Sequence, residues 1–139
     1  MASRPKMIAS SRVCGDPPRA VLFDFGGTLD ADGIPWKDRF YPLYLAEHMD
    51  MDRDRYDQAF YAADDALAAR RLKDSSFREI LLLQVTGVLE GLSVRDPGLA
   101  ARLRERFLED ALHKIRTNAG LLETLSRRFR LGIVSNFYG

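Results

Sequence analysis

The stretch VLFDFGGTLD, residues 21–30, decides the fold of this chain. Apolar and aromatic residues surround Asp24, and two glycines follow closely. This pattern is typical of a short buried strand that ends abruptly at a glycine turn, where a side chain would hinder the change of direction. We predict a strand over residues 20–25 with Asp24 at its carboxyl end, the edge at which open α/β sheets bind ligands.

The size and composition of the chain are those of an ordinary globular protein. It has 139 residues, of which 46% are hydrophobic and 29% charged, with a net charge of +1. This charge balance predicts no nucleic acid or anionic membrane as partner. A membrane-spanning helix needs about 18 consecutive apolar residues, and no such run occurs, so we expect a cytoplasmic protein. We interpret residues 1–18 as a disordered tail.

Cys14 is the only cysteine of the chain. A single cysteine excludes an internal disulfide and any cysteine-rich metal site.

The middle of the chain carries a helical pattern. Apolar residues recur at helical spacing in four consecutive segments, and polar residues that commonly precede helices stand before several of them. The predicted helices cover residues 36–48, residues 52–72 with Asp52 as N-cap, residues 75–91, and a segment that starts at Asp96-Pro97. Four amphipathic helices in series predict a small helical bundle.

The last segment predicts a second strand. Asn118-Ala119-Gly120 is interpreted as the start of a short separate helix over residues 121–128. The run LGIVSN, residues 131–136, then has the apolar character of a buried strand that ends in polar residues. The predicted order is therefore strand, helical insertion, helix and strand.

The two strand ends resemble motifs I and II of the haloacid dehalogenase-like hydrolase superfamily. Motif I is an apolar strand followed by DxDGT, and motif II is an apolar strand that ends in Ser or Thr. Asp24 and Ser135 take these places, and the helical insertion lies where members of the superfamily carry a C1 cap. The resemblance covers residues 20–139.

The resemblance implies an α/β fold in which a helical cap is inserted into a Rossmann-like core. Residues 19–35 and 116–139 would form the core, and residues 36–115 the helical-bundle cap. Only two parallel strands of the core are present in this sequence, so the core is expected to be incomplete.

The resemblance also implies the chemistry. Asp24 would attack an electrophilic centre, usually phosphorus, and form a covalent intermediate that water then hydrolyses. Thr28, Ser135 and Asn136 would bind the phosphoryl group, although Thr28 is equally well explained as a turn residue. Mg²⁺ would be bound by the Asp24 carboxylate and the backbone carbonyl of Gly26. The implied function is a phosphatase that acts on a small phosphorylated metabolite.

Gly26 departs from the family pattern. Phosphatases of the superfamily have a second Asp at this position, which protonates the leaving oxygen and then activates water. General acid–base catalysis of this kind contributes about 100- to 10,000-fold to the rate, and glycine cannot supply it. Members without this Asp include haloacid dehalogenases. Hydrolysis of a carbon–halogen bond is therefore the alternative activity, and a substrate with a good leaving group, such as an acyl phosphate, is favoured.

Motifs III and IV of the superfamily, a basic residue and an acidic pair, do not follow Ser135 in this sequence. We expect this chain to be the N-terminal portion of a longer protein, with little or no activity by itself. Two alternatives stay open. A second polypeptide supplies the remaining strands, or the chain is a non-catalytic remnant that serves as a binding module.

Other residues near motif I have simpler interpretations. Asp30 and Asp32 form an apparent carboxylate pair, which turn chemistry explains. The aromatic residues Trp36, Tyr41 and Tyr44 follow closely, and they belong either to the wall of a substrate cavity or, as is more common at helical spacing, to the bundle core.

Overall fold

The computed structural model describes residues 17–70 and 72–135. Most of the predicted tail therefore lies outside the described residues. The described residues form, in chain order, β1 Ala20–Phe23, α1 Trp36–Ala46, α2 Arg53–Ala68, α3 Phe77–Gly91, α4 Pro97–Ser126 and β2 Arg130–Ile133. A wide π-type turn, Phe25–Leu29, follows β1.

The two strands pair in parallel. Ala20 lies opposite Arg130 and Phe23 opposite Ile133. The ladder continues past β2, because the N–H of Val134 donates to the carbonyl of Phe23 at 2.9 Å. The chain is thus a mixed α/β structure, mostly helical, in which the first and last elements meet. The first strand is two residues shorter than predicted, since the turn begins directly after Asp24. The prediction that both strands are buried is wrong, because the side chains of Leu22 and Ile133 are 65% and 62% exposed.

Side-chain caps begin three of the helices. Asp52 and Asp96 each accept a hydrogen bond from the backbone N–H three residues on, at 2.7 and 2.9 Å. Ser76 and Glu79 form a reciprocal capping box at the start of α3, one residue after the predicted start at residue 75. These interactions are local in sequence, so the predicted starts of α2 and α4 agree with the structure.

The predicted break before residue 121 is wrong, because α4 runs without interruption from Pro97 to Ser126. The side-chain amide of Asn118 donates to the carbonyl of Leu29 at 2.9 Å, so this residue is hydrogen-bonded to the turn after β1. Gly120 lies in the helix interior, with no neighbouring atom within 4 Å of the position of a Cβ. A single helix therefore crosses the predicted cap boundary at residue 116 and leads from the bundle to β2.

The hydrophobic core lies among the four helices and is rich in aromatic side chains. The rings of Phe40 and Phe107 stack in parallel, with centroids 3.9 Å apart. The most completely buried large side chains include Phe40, Tyr44, Tyr56, Leu81, Leu103 and Phe107. Helices α2 and α3 approach closely where Gly87 faces Ala63. The bundle contacts the turn that follows β1 through the rings of Phe25 and Phe77, whose centroids lie 5.7 Å apart.

Candidate functional site

The two motif residues leave the sheet at the same edge. Asp24 follows β1 directly, and Ser135 lies two residues after Ile133, the last residue of β2. Because the strands are parallel and Phe23 is opposite Ile133, the chain exits both strands on one side. Both Asp24 and Ser135 are exposed. The tertiary structure therefore brings together two residues that are far apart in sequence.

The turn after β1 has one position that requires glycine. Gly27 has a φ of 81°, in the left-handed region that side chains disfavour. Gly26 has φ −68° and ψ 120°, a conformation open to any residue. A Cβ on Gly26 would meet no atom nearer than the indole nitrogen of Trp36, at 3.7 Å. The prediction that both glycines serve the turn is therefore correct for Gly27 only.

Asp30 has a role that the sequence interpretation missed. Its side chain is completely buried. One carboxylate oxygen, Oδ1, accepts the backbone N–H of Gly27 at 2.7 Å. The other, Oδ2, accepts the indole N–H of Trp36 at 2.6 Å and a guanidinium N–H of Arg39 at 2.9 Å. Asp30 is thus the centre of a polar cluster beneath the turn, a role that its interpretation as a turn residue did not include.

Arg39 links this cluster to α4. Its second guanidinium nitrogen donates to Asp110 at 2.9 Å, and the guanidinium lies 4.4 Å from the centroid of the Phe107 ring. The Arg39 side chain is only 8% exposed, so a nearly buried cation compensates the buried charge of Asp30. By contrast, Asp32 is exposed and forms an ion pair with Lys114, whose pKa this hydrogen bond raises. The apparent carboxylate pair therefore divides into a buried residue and a surface residue.

A cleft of about 760 Å³ lies between the motif turn and the first two helices. Its lining includes Gly26 and Ser135 from the two strand ends and, from the helical side, Trp36, Lys37, Tyr61 and Arg70. A smaller, mainly apolar cavity of about 350 Å³ lies between α3 and the start of α4, and no residue of the strand ends lines it. The cleft is therefore the cavity of interest for function.

Charged side chains line the helical wall of the cleft. Lys37 donates to Asp57 at 2.7 Å, and this hydrogen bond raises the pKa of Lys37. The Lys37 ammonium also lies 4.9 Å from the centroid of the Tyr61 ring. Burial raises the pKa of Asp64, and the neighbouring Asp65 adds to the effect. A substrate in this cleft would meet both aromatic and ionic groups.

The three aromatic residues after motif I have separate locations. Tyr44 is completely buried in the core. Tyr41 packs against the core, and its hydroxyl donates to the carbonyl of Met51 at 3.5 Å. Trp36 is half-buried, lines the cleft, and contacts the Phe107 ring with centroids 5.3 Å apart. Of these three residues, only Trp36 both lines the cleft and packs against the core, so both interpretations hold for it.

The remaining predicted site residues are placed as follows. Thr28 is exposed within the turn, whereas Asn136 lies outside the described residues.

Over residues 17–70 and 72–135, no group of three or more acidic, His or Cys side chains is arranged to bind a metal ion. Mg²⁺ in phosphoryl-transfer sites is usually bound by one or two carboxylates together with substrate phosphates and water. The predicted donors, the Asp24 carboxylate and the Gly26 carbonyl, are thus a minimal set for this ion.

Comparison with known protein families, with curated proteins and with solved structures finds no match for this chain. None of the described helices has the length and apolar character needed to cross a bilayer. Function is therefore inferred from the strand ends and the cleft that they line.

Proposed function

We propose that this protein is a hydrolase of the haloacid dehalogenase-like type, with Asp24 as nucleophile and a small phosphorylated metabolite as substrate. One observation carries the proposal. The parallel pairing of β1 and β2 puts Asp24 and Ser135 at one edge of the sheet, and Gly26 and Ser135 line the same cleft. A nucleophile and a hydroxyl donor at one sheet edge are the parts that this chemistry requires.

In the proposed reaction, a carboxylate oxygen of Asp24 attacks phosphorus, and the bond from phosphorus to the leaving oxygen breaks. Water then hydrolyses the aspartyl phosphate to release inorganic phosphate. The hydroxyl of Ser135 donates to a non-bridging phosphoryl oxygen. The backbone N–H groups of Phe25 and Gly27 already donate to Asp24 and Asp30, so they are not directed at substrate in this conformation.

The residue at position 26 indicates which kind of leaving group the substrate has. A carboxylic acid in the usual place would protonate an alkoxide, but Gly26 has no side chain. The favoured substrate class therefore has a leaving group that departs as a weak base, such as the carboxylate of an acyl phosphate.

The fold and the cofactor complete the proposal. Residues 19–35 and 116–139 are proposed to belong to a Rossmann-like core, and residues 36–115 to act as a cap that excludes water from the cleft. Asp24 and the Gly26 carbonyl are the proposed Mg²⁺ ligands. When bound, this ion would neutralise charge on the phosphoryl group.

Beryllium fluoride tests the nucleophile directly, because its complex with a carboxylate resembles an aspartyl phosphate. We expect the chain, with Mg²⁺ and beryllium fluoride, to show a bound ¹⁹F resonance and shifted amide resonances at Gly26 and Ser135. Asp24→Asn should abolish both signals. Asp32→Asn is the matched control, because it changes an exposed carboxylate of the same loop region and should leave both signals intact. No adduct with the unsubstituted chain would contradict the proposal.

Hydrolysis of a carbon–halogen bond is the second candidate. It is favoured by Gly26, near which the structure places the Trp36 indole rather than a carboxylic acid. Halide release from a 2-chloro acid without Mg²⁺, lost in Asp24→Asn, would replace the phosphatase proposal with this one. If neither the adduct nor halide release is observed, two interpretations remain: a second polypeptide supplies the remaining strands, or the chain is a non-catalytic binding module.

A further inference from the structure

We propose that Asp30 is a positioning residue that couples the conformation of the Asp24 loop to the cap wall of the cleft. The coupling arises because one carboxylate contacts both parts. Oδ1 accepts from Gly27 in the loop, whereas Oδ2 accepts from Trp36 and Arg39 in α1. The contacts themselves are independent of the reaction, but the role in catalysis rests on the proposed function.

The loop side of this contact sets the backbone next to the nucleophile. Gly27 is held in a left-handed conformation, and its N–H points at Oδ1 of Asp30. The Gly27 carbonyl in turn accepts from the N–H of Gly33 at 2.9 Å, which closes the loop. The position of Asp24, three residues before Gly27, therefore depends on the buried carboxylate.

The cap side sets the wall of the cleft. The indole nitrogen of Trp36 donates to Oδ2 and lies 3.7 Å from the position that a Cβ of Gly26 would occupy. Arg39 extends the link to Asp110 on α4. A displacement of Trp36 would therefore alter both the shape of the cleft and the contact that holds the loop.

Asp30 has to be a carboxylate because the three groups that contact its side chain are all hydrogen-bond donors. Both carboxylate oxygens accept, so Asp30 satisfies donors on its two sides at once. An asparagine has one accepting oxygen and one donating NH₂ group. With Asp30→Asn, either Gly27 or the pair Trp36 and Arg39 would face a donor, and a buried donor would lose its partner.

Trp36 is the only tryptophan of the chain, so its emission reports on the cap side directly. Hydrogen–deuterium exchange of the Gly27 amide, followed by NMR, reports on the loop side. We expect Asp30→Asn to shift Trp36 emission to longer wavelength and to speed Gly27 exchange about tenfold or more, as the loss of a charge-assisted hydrogen bond predicts. Asp32→Asn should change neither. Equal Trp36 emission and equal Gly27 exchange in the two variants would overturn the inference.

If Asp30→Asn does not fold, as the loss of its helical circular dichroism signal would show, Trp36→Phe provides a second test. This variant retains an aromatic ring in the cleft wall but removes the indole N–H. If the two sides are coupled, hydrogen–deuterium exchange of the Gly27 amide should become several-fold faster in this variant. The Trp36 indole donates to Asp30 and not to Gly27, so the effect would have to pass through Asp30. Unchanged Gly27 exchange would show that the two sides are independent, and the inference would fail.

The beryllium fluoride adduct separates this inference from the proposed function. If the unsubstituted chain forms no adduct, the proposed nucleophile is wrong, whereas the emission and exchange results still decide the coupling. If the adduct forms, coupling predicts a lower adduct yield in Asp30→Asn than in Asp32→Asn. An equal yield would remove the positioning role.

Discussion

The backbone N–H of Val134 donates to the carbonyl of Phe23 at 2.9 Å, and the residues that follow these two in the sequence are Ser135 and Asp24. This single hydrogen bond joins the ends of two strands that lie more than a hundred residues apart in sequence. Slipping the pairing by one residue would turn every side chain of the shifted strand to the opposite face. The register of this small sheet therefore decides whether Asp24, the proposed nucleophile, and the hydroxyl of Ser135 leave the sheet side by side.

The two glycines of the motif turn should respond differently to alanine. Gly27→Ala is expected to lower the free energy of unfolding by about 1–2 kcal/mol, because alanine disfavours the left-handed conformation. Its Cβ would also lie 3.4 Å from the carbonyl oxygen of Ile34. Gly26→Ala should change the free energy of unfolding by less than about 1 kcal/mol. Urea denaturation measures the free energy of unfolding of both variants. Equal changes in the two variants would show that the turn geometry is wrong.

Gly26→Asp should add the missing acid. The backbone conformation at Gly26 suits any residue, and there is room for a Cβ. If leaving-group protonation limits the reaction, hydrolysis of a phosphomonoester should increase by about 100-fold relative to the unsubstituted chain. Gly26→Asn is the control, since it has a similar shape but cannot donate the proton. Equal rates for these two variants would argue against acid catalysis at this position.

Two other glycines form a second matched pair. A Cβ on Gly87 would lie 2.9 Å from the Cβ of Ala63, so Gly87→Ala should force α2 and α3 apart at a cost of about 1–3 kcal/mol. Gly120 has open space around it in the interior of α4, and Gly120→Ala should stabilise by about 0.5–1 kcal/mol. Thermal denaturation should therefore show shifts of opposite sign. A destabilised Gly120→Ala would instead support the helix break predicted from the sequence.

Two buried tyrosines should differ when the hydroxyl is removed. Burial raises the pKa of both, so both are neutral at ordinary pH. The Tyr56 hydroxyl donates to the carbonyl of Lys37 at 2.9 Å, and Tyr56→Phe should cost about 1 kcal/mol. The Tyr44 hydroxyl has no hydrogen-bond partner among the described residues, so Tyr44→Phe should be neutral or stabilising. The urea concentration at the midpoint of unfolding measures the stability of both variants. A larger loss of stability for Tyr44→Phe than for Tyr56→Phe would contradict this packing.

The capping box of α3 should make stability depend on pH. Hydrogen bonds from the backbone N–H and then the hydroxyl of Ser76 hold the pKa of Glu79 below its usual value of 4.5. A depressed carboxyl pKa stabilises the folded state above the unfolded value, and this contribution is lost as the pH falls through the folded value. The chain should therefore be more stable than Glu79→Gln at neutral pH, and the difference should shrink below pH 4.5. A difference that does not vary with pH would exclude a charged cap.

Local interactions explain which features were predictable. The N-caps Asp52 and Asp96 bond to backbone groups three residues away, so the short sequence around each is enough to locate a helix start. The strand end at Asp24 was predictable for a similar reason, since apolar residues and a glycine turn are adjacent there. The break predicted before residue 121 was wrong, because the side chain of Asn118 finds its partner in Leu29, far away in sequence.

The sequence by itself determined the run of helices, the two short strands and the residues at their ends, because periodicity and turn residues act over a few positions. Only the tertiary structure decided that Asp30 is buried and that Trp36 and Arg39 share its carboxylate. The physical reason is that a surface aspartate and a buried one look identical in sequence. Their difference arises from the donors that the folded chain brings to them and from the water that it removes.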